Sequence, residues 1–322
     1  MATVKSTPTF KQVRNAYLKI REKVHRTPIL QSQKVNERAG GNLFFKCENF
    51  QKVGAFKFRG ATHAIGNLSD DEAQKGVATH SSGNHAQAVA LAAKIRGIPA
   101  HIVMPEDAPK VKVHAVKDYG AKIIFCEPTQ EARESTLREV VDSSGATFIH
   151  PYDNPDIIMG QGSAAIELLE DHPDLDIILA PIGGGGLMSG TAIAASGLAP
   201  KATVIGAEPE VANDAYLSFK SGKLHPVQST NTVADGLRTS LSKLTFACIQ
   251  KHVDRIITVK EEEIIEAMRF IWERMKIIIE PSSAVPVAAV LDRKLELAGK
   301  KAGIIISGGN MDLDRLPWQE EM

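Results

Sequence analysis

The sequence predicts an α/β protein with two doubly wound domains built on parallel-type sheets. Three observations carry that expectation. Short apolar runs alternate with helical patterns along nearly all of the 322 residues. Many of the runs are apolar at consecutive positions, as strands covered on both faces are, rather than at every second one. Several run straight into glycine-rich or polar turns that open a helix, the order that parallel sheets require.

Taken in order, strands are expected at residues 43–47 (Leu-Phe-Phe-Lys-Cys), 76–80, 100–104 (Ala-His-Ile-Val-Met), 121–125, 147–150, 176–182 (Asp-Ile-Ile-Leu-Ala-Pro-Ile), 203–207 and 302–307. Amphipathic or alanine-rich stretches at 85–96, 130–142, 159–170, 187–196 and 261–274 supply helices between them. The length suits about two domains. Breaks in the pattern at 67–74 and at 151–155 bracket a small domain at 75–150. Residues 1–68 and 153–322 then form the larger, cofactor-binding domain, into which the small one is inserted.

The chain carries 38 basic and 38 acidic residues and no basic run, which argues against nucleic acid or a membrane surface as a partner. No segment reaches the roughly 20 apolar residues of a membrane span, and the amino terminus lacks the apolar stretch of a secretory signal. Cys47, Cys126 and Cys248 are too few and too far apart for a disulfide framework or a zinc knuckle. A cytoplasmic protein is the expectation.

Chemistry is expected first at Gly54-Ala55-Phe56-Lys57-Phe58-Arg59-Gly60. Lysine is usually a solvated surface residue, its stem along apolar surface and its head in water. Aromatic neighbours would desolvate Lys57 and lower its pKa, which is what an amine needs to act as a nucleophile. The strand at 176–182 runs into Gly183, Gly184, Gly185 and Gly186 and then a helix. Such a turn aims backbone N–H groups at one point beside the positive end of the helix: a cup for an anion, most naturally a phosphate. Met188 and Ser189 stand where a dinucleotide fingerprint needs its third glycine, and no P-loop lysine follows. The strand at 76–80 leads into Ser81-Ser82-Gly83-Asn84-His85, which suits a carboxylate ligand or simply caps the next helix. The last strand ends in Ser307-Gly308-Gly309-Asn310. Strand ends of this kind converge on the carboxyl edge of a parallel sheet, where such folds bind ligands.

These four motifs, in this order, resemble the fold-type II pyridoxal phosphate enzymes, and among them the serine racemase and serine/threonine dehydratase group. The likeness runs from Thr27 to Asp312. It implies that Lys57 carries the cofactor, with Phe56 against the ring, Asn84 on the ring oxygen, Ser307 facing the pyridine nitrogen and residues 183–186 on the phosphate. Ser81, Ser82, Asn84, His85 and Arg133 would meet the substrate. Ser82 would serve the face of Cα opposite Lys57, either carrying a proton or only holding the carboxylate. For Arg133, in Glu131-Ala-Arg-Glu-Ser135, the alternative is an exposed helix arginine. A hydroxyl at Ser307 does not hold the ring nitrogen protonated as a carboxylate would, which suits racemisation and β-elimination better than transamination.

The resemblance extends to ions and partners. Glu208, Ala212 and Asp214 match the family's site for Mg²⁺, Ca²⁺ or Mn²⁺, two carboxylates and a carbonyl being hard oxygen ligands. Read alone, that stretch is a solvated acidic loop. Ser32, Lys52, Gln87, Tyr119, Lys276 and Asn310 match residues that bind ATP as an activator near the interface of a homodimer, while Gln33 departs from the serine often found there. At 322 residues the chain is expected to lack the carboxy-terminal regulatory domain of biosynthetic threonine dehydratases. The function implied is racemisation of serine together with its dehydration to pyruvate and ammonia. One alternative is dehydration of threonine or threo-3-hydroxyaspartate with little racemisation. The other, from a different class, is a non-catalytic phosphate- or nucleotide-binding regulator that uses the glycine cup alone.

Overall fold

A computed structural model describes residues 6–319 apart from Ser82 and Pro109, and the side chains of residues 110–112 lie outside the described part as well. Among the described residues ten strands form two sheets. They are β1 (Ile29–Leu30), β2 (Asn42–Cys47), β3 (Val77–His80), β4 (Ala100–Pro105), β5 (Lys122–Cys126), β6 (Thr147–Phe148), β7 (Ile177–Pro181), β8 (Thr203–Pro209), β9 (Arg255–Val259) and β10 (Lys301–Ile306). The larger sheet has the order β1-β2-β10-β7-β8-β9 and the smaller β5-β4-β3-β6. All pairings are parallel except β1 with β2.

Side chains from alternate positions of the larger sheet enter two separate cores. Phe45, Leu179, Ile205 and Ile304 face one, and Phe44, Ile178, Val204 and Ile305 the other. The consecutive apolar positions in the sequence follow from this, because both faces are covered by helices. Two strands fall outside the sequence expectation. β1 has only two residues, and β9 opens on the exposed Arg255, as an edge strand can. The helix expected at 159–170 is two helices, Pro155–Gln161 and Ser163–Asp171. The first starts early because the Asn154 side chain accepts from the Asp156 and Ile157 N–H groups and Pro155 occupies the first turn.

The helix Lys57–Gly66 places Lys57 at its first residue, and a buried charge cluster holds that helix. The Arg59 guanidinium donates to both oxygens of Glu48, at 2.6 and 2.8 Å, and to both oxygens of Glu167, each at 2.8 Å. Lys46, on β2, donates to Glu167 at 2.6 Å and to the Thr27 carbonyl at 2.7 Å. All four charged side chains are shut off from solvent. Burial pushes the Glu48 carboxyl upward, but Arg59 outweighs it and holds the group below its ordinary value. Two cations and two anions cancel, so no net charge is buried.

Arg59→Leu leaves Glu48 and Glu167 with Lys46 as their remaining buried cation. A stability loss of about 3–5 kcal/mol is expected, as for other broken buried pairs. Urea unfolding of the parent and variant measures it; a loss under about 1 kcal/mol would show the cluster to be dispensable.

Candidate active site

β7 ends at Pro181, and after Ile182 the chain turns through Gly183, Gly184 and Gly185 into the helix Gly186–Leu198. Gly185 takes φ +84°, a left-handed conformation that side chains resist. At Gly184 the constraint is space: a Cβ would lie 2.2 Å from the Tyr152 ring. The turn is buried, and a helix start leaves its first N–H groups without intrahelical partners. The result is a cup whose form suits an anion, with Tyr152 over one side.

Lys57 faces the same region from the helix Lys57–Gly66. Its Nζ donates to the Pro151 carbonyl at 3.1 Å and lies 5.1 Å from the centre of the Phe56 ring. Burial lowers its pKa to about 8, with the Glu280 carboxylate opposing the shift. Near neutral pH an appreciable fraction of the amine is therefore free. The Phe56 N–H donates to the Ser307 carbonyl at 2.9 Å, which ties the lysine's segment to the end of β10. Ser307 is itself buried, 3.0 Å from the Ser283 hydroxyl. Ser283 Oγ also lies 2.7 Å from the Gly308 carbonyl, to which it can donate, and accepts from the Gly308 N–H at 2.8 Å.

The end of β3 meets the same edge. Asn84 opens the helix Asn84–Arg96, and its Nδ2 donates to both oxygens of Glu280 at 3.0 Å. Its Oδ1 accepts from Asn310 Nδ2 at 2.9 Å. His85 Nε2 sits 2.9 Å from the Ile149 carbonyl, so that nitrogen carries the proton and Nδ1 is a bare acceptor. Burial drives the His85 pKa down to about 3, leaving the ring neutral. Ser81 is half-buried and its Oγ accepts from the Gly83 N–H at 3.3 Å. Ser82 lies outside the described residues. Arg133 is half-buried rather than exposed, and its Nε has no hydrogen-bond partner among the described residues.

Two acidic residues, Glu208 near the end of β8 and Asp214 at the start of the helix Asp214–Ser221, form a second locus. Glu208 accepts from the Ala215 and Tyr216 N–H groups at 3.0 and 2.9 Å, and Asp214 Oδ2 accepts from the Leu241 N–H at 3.1 Å. Both carboxylates are buried, which corrects the solvated-loop alternative, and Asp214 Oδ1 has no hydrogen-bond partner among the described residues. Burial raises the Asp214 pKa to about 6, and burial with the nearby Asp214 charge raises Glu208 well above its ordinary value. Two buried like charges and an unpartnered oxygen fit a cation. Among the described residues no group of three or more His, Cys, Asp or Glu forms a metal cluster, so a carbonyl such as that of Ala212 would have to take part.

The six residues matched to a nucleotide are less unified. Lys52 donates to the Lys23 carbonyl at 2.7 Å, Lys276 is exposed in a left-handed conformation, and Ser32 precedes the helix Gln33–Ala39 without a side-chain cap. Gln87 is buried and Tyr119 half-buried. Asn310 belongs to the Asn84–Glu280 group, and no hydrogen bond joins any two of the six among the described residues. Glu280 itself escapes the sequence reading. Its one signal is a lone carboxylate between the apolar run 277–279 and Pro281.

A family model described as pyridoxal-phosphate dependent enzyme matches residues 20–308. The chain belongs to that family. It is 50% identical to the β-hydroxyaspartate dehydratase of Paracoccus denitrificans over 97% of this chain and 99% of that protein. To the L-threo-3-hydroxyaspartate ammonia-lyase of Saccharomyces cerevisiae it is 49% identical, over 96% of this chain and 95% of the relative. The crystal structure of serine racemase from Dictyostelium discoideum superposes with a TM-score of 0.91 at 49% identity, covering 96% of this chain and all of that one. The fold is thus that of a pyridoxal-phosphate dependent enzyme, with two doubly wound units. The site suits that cofactor: an amine of lowered pKa, a cradle that a Cβ at Gly184 would fill, and a buried hydroxyl at Ser307 stand at one sheet edge.

The lowered pKa has a direct consequence for the cofactor-free protein. Capture of Lys57 by a small aldehyde with cyanoborohydride should rise with pH through a midpoint near 8. Peptide mapping of the labelled lysine across pH 6–11 checks this; a midpoint near the ordinary lysine value of roughly 10.4 would refute the desolvation argument.

Proposed function

We propose that this protein racemises serine and also dehydrates it to pyruvate and ammonia, with Lys57 and Ser82 serving opposite faces of the substrate Cα. The observation that carries the reading is Lys57, an amine of pKa about 8 placed between Phe56 and Pro151 at the edge shared with the glycine cup. When bound, pyridoxal phosphate supplies an electron sink for the bond being broken at Cα. Phe56, Asn84 and Ser307 would hold its ring and residues 183–186 its phosphate. Ser81 and Asn84 would bind the substrate carboxylate, while His85, whose one N–H goes to Ile149, would meet the substrate side as an acceptor. Lys57 takes or returns the α-proton on its face, and the free fraction of its amine lets it do so near neutral pH. His85, neutral at pKa about 3 with its N–H held by Ile149, offers an acceptor nitrogen and no proton for transfer.

A second reading has its own support. Arg133 is half-buried with an unpartnered Nε, a cation suited to a second substrate carboxylate, and two of the similar proteins are named for hydroxyaspartate. On that reading threo-3-hydroxyaspartate is the better substrate and ammonia and a keto acid are the main products. The proposal also includes a cytoplasmic homodimer activated by Mg-ATP through Ser32, Lys52, Gln87, Tyr119, Lys276 and Asn310. The three cysteines are buried and unpaired, as a reducing compartment allows.

Incubation with L-serine, L-threonine and threo-3-hydroxyaspartate, with keto acid and D-amino acid assayed together, ranks these readings. D-Serine from L-serine is expected; keto acid from hydroxyaspartate alone would select the second reading. Ser82→Ala should cut conversion of L-serine to D-serine by about 10²–10⁴ while sparing pyruvate formation from L-serine, because only racemisation needs a proton on the far face. Parallel loss of both would make Ser82 a carboxylate ligand.

Glu208, Ala212 and Asp214 are proposed to bind Mg²⁺, Ca²⁺ or Mn²⁺, supported by the buried carboxylate pair and the unpartnered Asp214 oxygen. Chelation should lower the melting temperature and readdition of the cation restore it, whereas Asp214→Ala should respond to neither. A variant that responds like the parent places the cation elsewhere.

A further inference from the structure

Gln161 is fully buried at the end of the helix Pro155–Gln161, and neither its Oε1 nor its Nε2 has a hydrogen-bond partner among the described residues. Buried amides are ordinarily satisfied, and one left with both ends unmet opposes folding. Its position is informative. Oε1 lies 2.6 Å from where a Cβ on Gly186 would stand, at the first residue of the helix that opens from the cup. Nε2 lies 3.3 Å from the corresponding point on Gly60, one turn along the helix that begins with Lys57. Both neighbours being glycine, the amide fills the space between the lysine's helix and the cup. Rotation about its last bond exchanges the two ends, so that the N–H₂ can face Gly186.

We propose that Gln161 is a side-chain ligand of the anion held by the glycine cup, donating from Nε2 to a phosphate oxygen or to a water bound on one. The backbone N–H groups of residues 183–186 approach the anion as the turn and helix direct, and Gln161 adds a donor from the helix packed beneath. Among the described residues its amide has no partner; a bound phosphate ester would give it one. The inference rests on the cofactor reading of the cup.

The test compares cofactor-free parent, Gln161→Met and Gln161→Glu. Pyridoxal phosphate and pyridoxal, which lacks the phosphate, are titrated by protein fluorescence, and inorganic phosphate is tested by thermal shift. Gln161→Met should melt at or above the parent without ligand, because two unmet polar atoms are gone. Its affinity for pyridoxal phosphate should fall about tenfold or more, as for loss of a hydrogen bond to a charged group, with pyridoxal binding unchanged. The stabilisation by inorganic phosphate should shrink with it. Gln161→Glu keeps the shape but brings a carboxylate to the anion, so its ratio of the two affinities should fall further. That variant decides the matter if the methionine form does not fold. Equal ratios in parent and variants overturn the assignment and make Gln161 a packing residue. A parent that binds pyridoxal as tightly as pyridoxal phosphate overturns the cup reading itself.

Discussion

The constraint on which the site depends is the pair of two-pronged bonds from Arg59 to Glu48 and Glu167. Arg59 follows Lys57 by two residues in the same helical turn, so fixing its guanidinium fixes where that helix starts. Glu48 follows β2 directly and Glu167 lies in the helix Ser163–Asp171, so one side chain registers three elements at once. A well-packed apolar replacement of such a cluster is often as stable. What the charges add is position. Guanidinium and carboxylate match in a single geometry, whereas apolar side chains can pack in several.

Around the lysine the same low-dielectric surroundings act in different directions on different groups. Lys57 loses part of its proton affinity to burial, and Glu280 returns some of it. Glu280 is in turn occupied by the Asn84 amide, which ties the start of the small sheet's helix to the end of β10 through Asn310. The polar chain from Asn310 through Asn84 to Glu280 therefore does two things. It joins the two sheets, and it holds Glu280, whose charge opposes the effect of burial on the Lys57 amine.

How much of this was legible in the sequence follows from where each signal resides. The sheets were readable because runs such as Ile177–Pro181 and Lys301–Ile306 are buried on both faces, and burial on both faces writes itself into consecutive apolar letters. The lysine and the glycine cup were readable because few structural needs produce four consecutive glycines or a lysine between phenylalanines. Gln161 and Glu280 were not. Gln161 is buried by Gly60 and Gly186, and Glu280 is engaged by Asn84, 196 residues away. Beyond the lone carboxylate before Pro281, nothing local marks either residue, because tertiary contacts create their surroundings. The acidic loop lies between these cases: the spacing of Glu208 and Asp214 is visible, but their burial, which suits a cation rather than a solvated turn, is not.

One short segment connects these parts. Residues 150–154 carry the chain from the small sheet back to the large one, and His150 Nδ1 accepts the N–H groups of Tyr152 and Asp153 at 3.3 and 2.8 Å to shape the turn. Pro151 accepts from the lysine, Tyr152 covers Gly184, and Asn154 caps the helix that ends in Gln161. The amine, the anion cup and the amide between them are therefore set by consecutive residues of one crossover. A displacement of the small sheet acts on all three together, since β6 ends only two residues before His150. The crossover thus joins the small sheet to the lysine, the glycine turn and Gln161 through contacts made by residues 151–154.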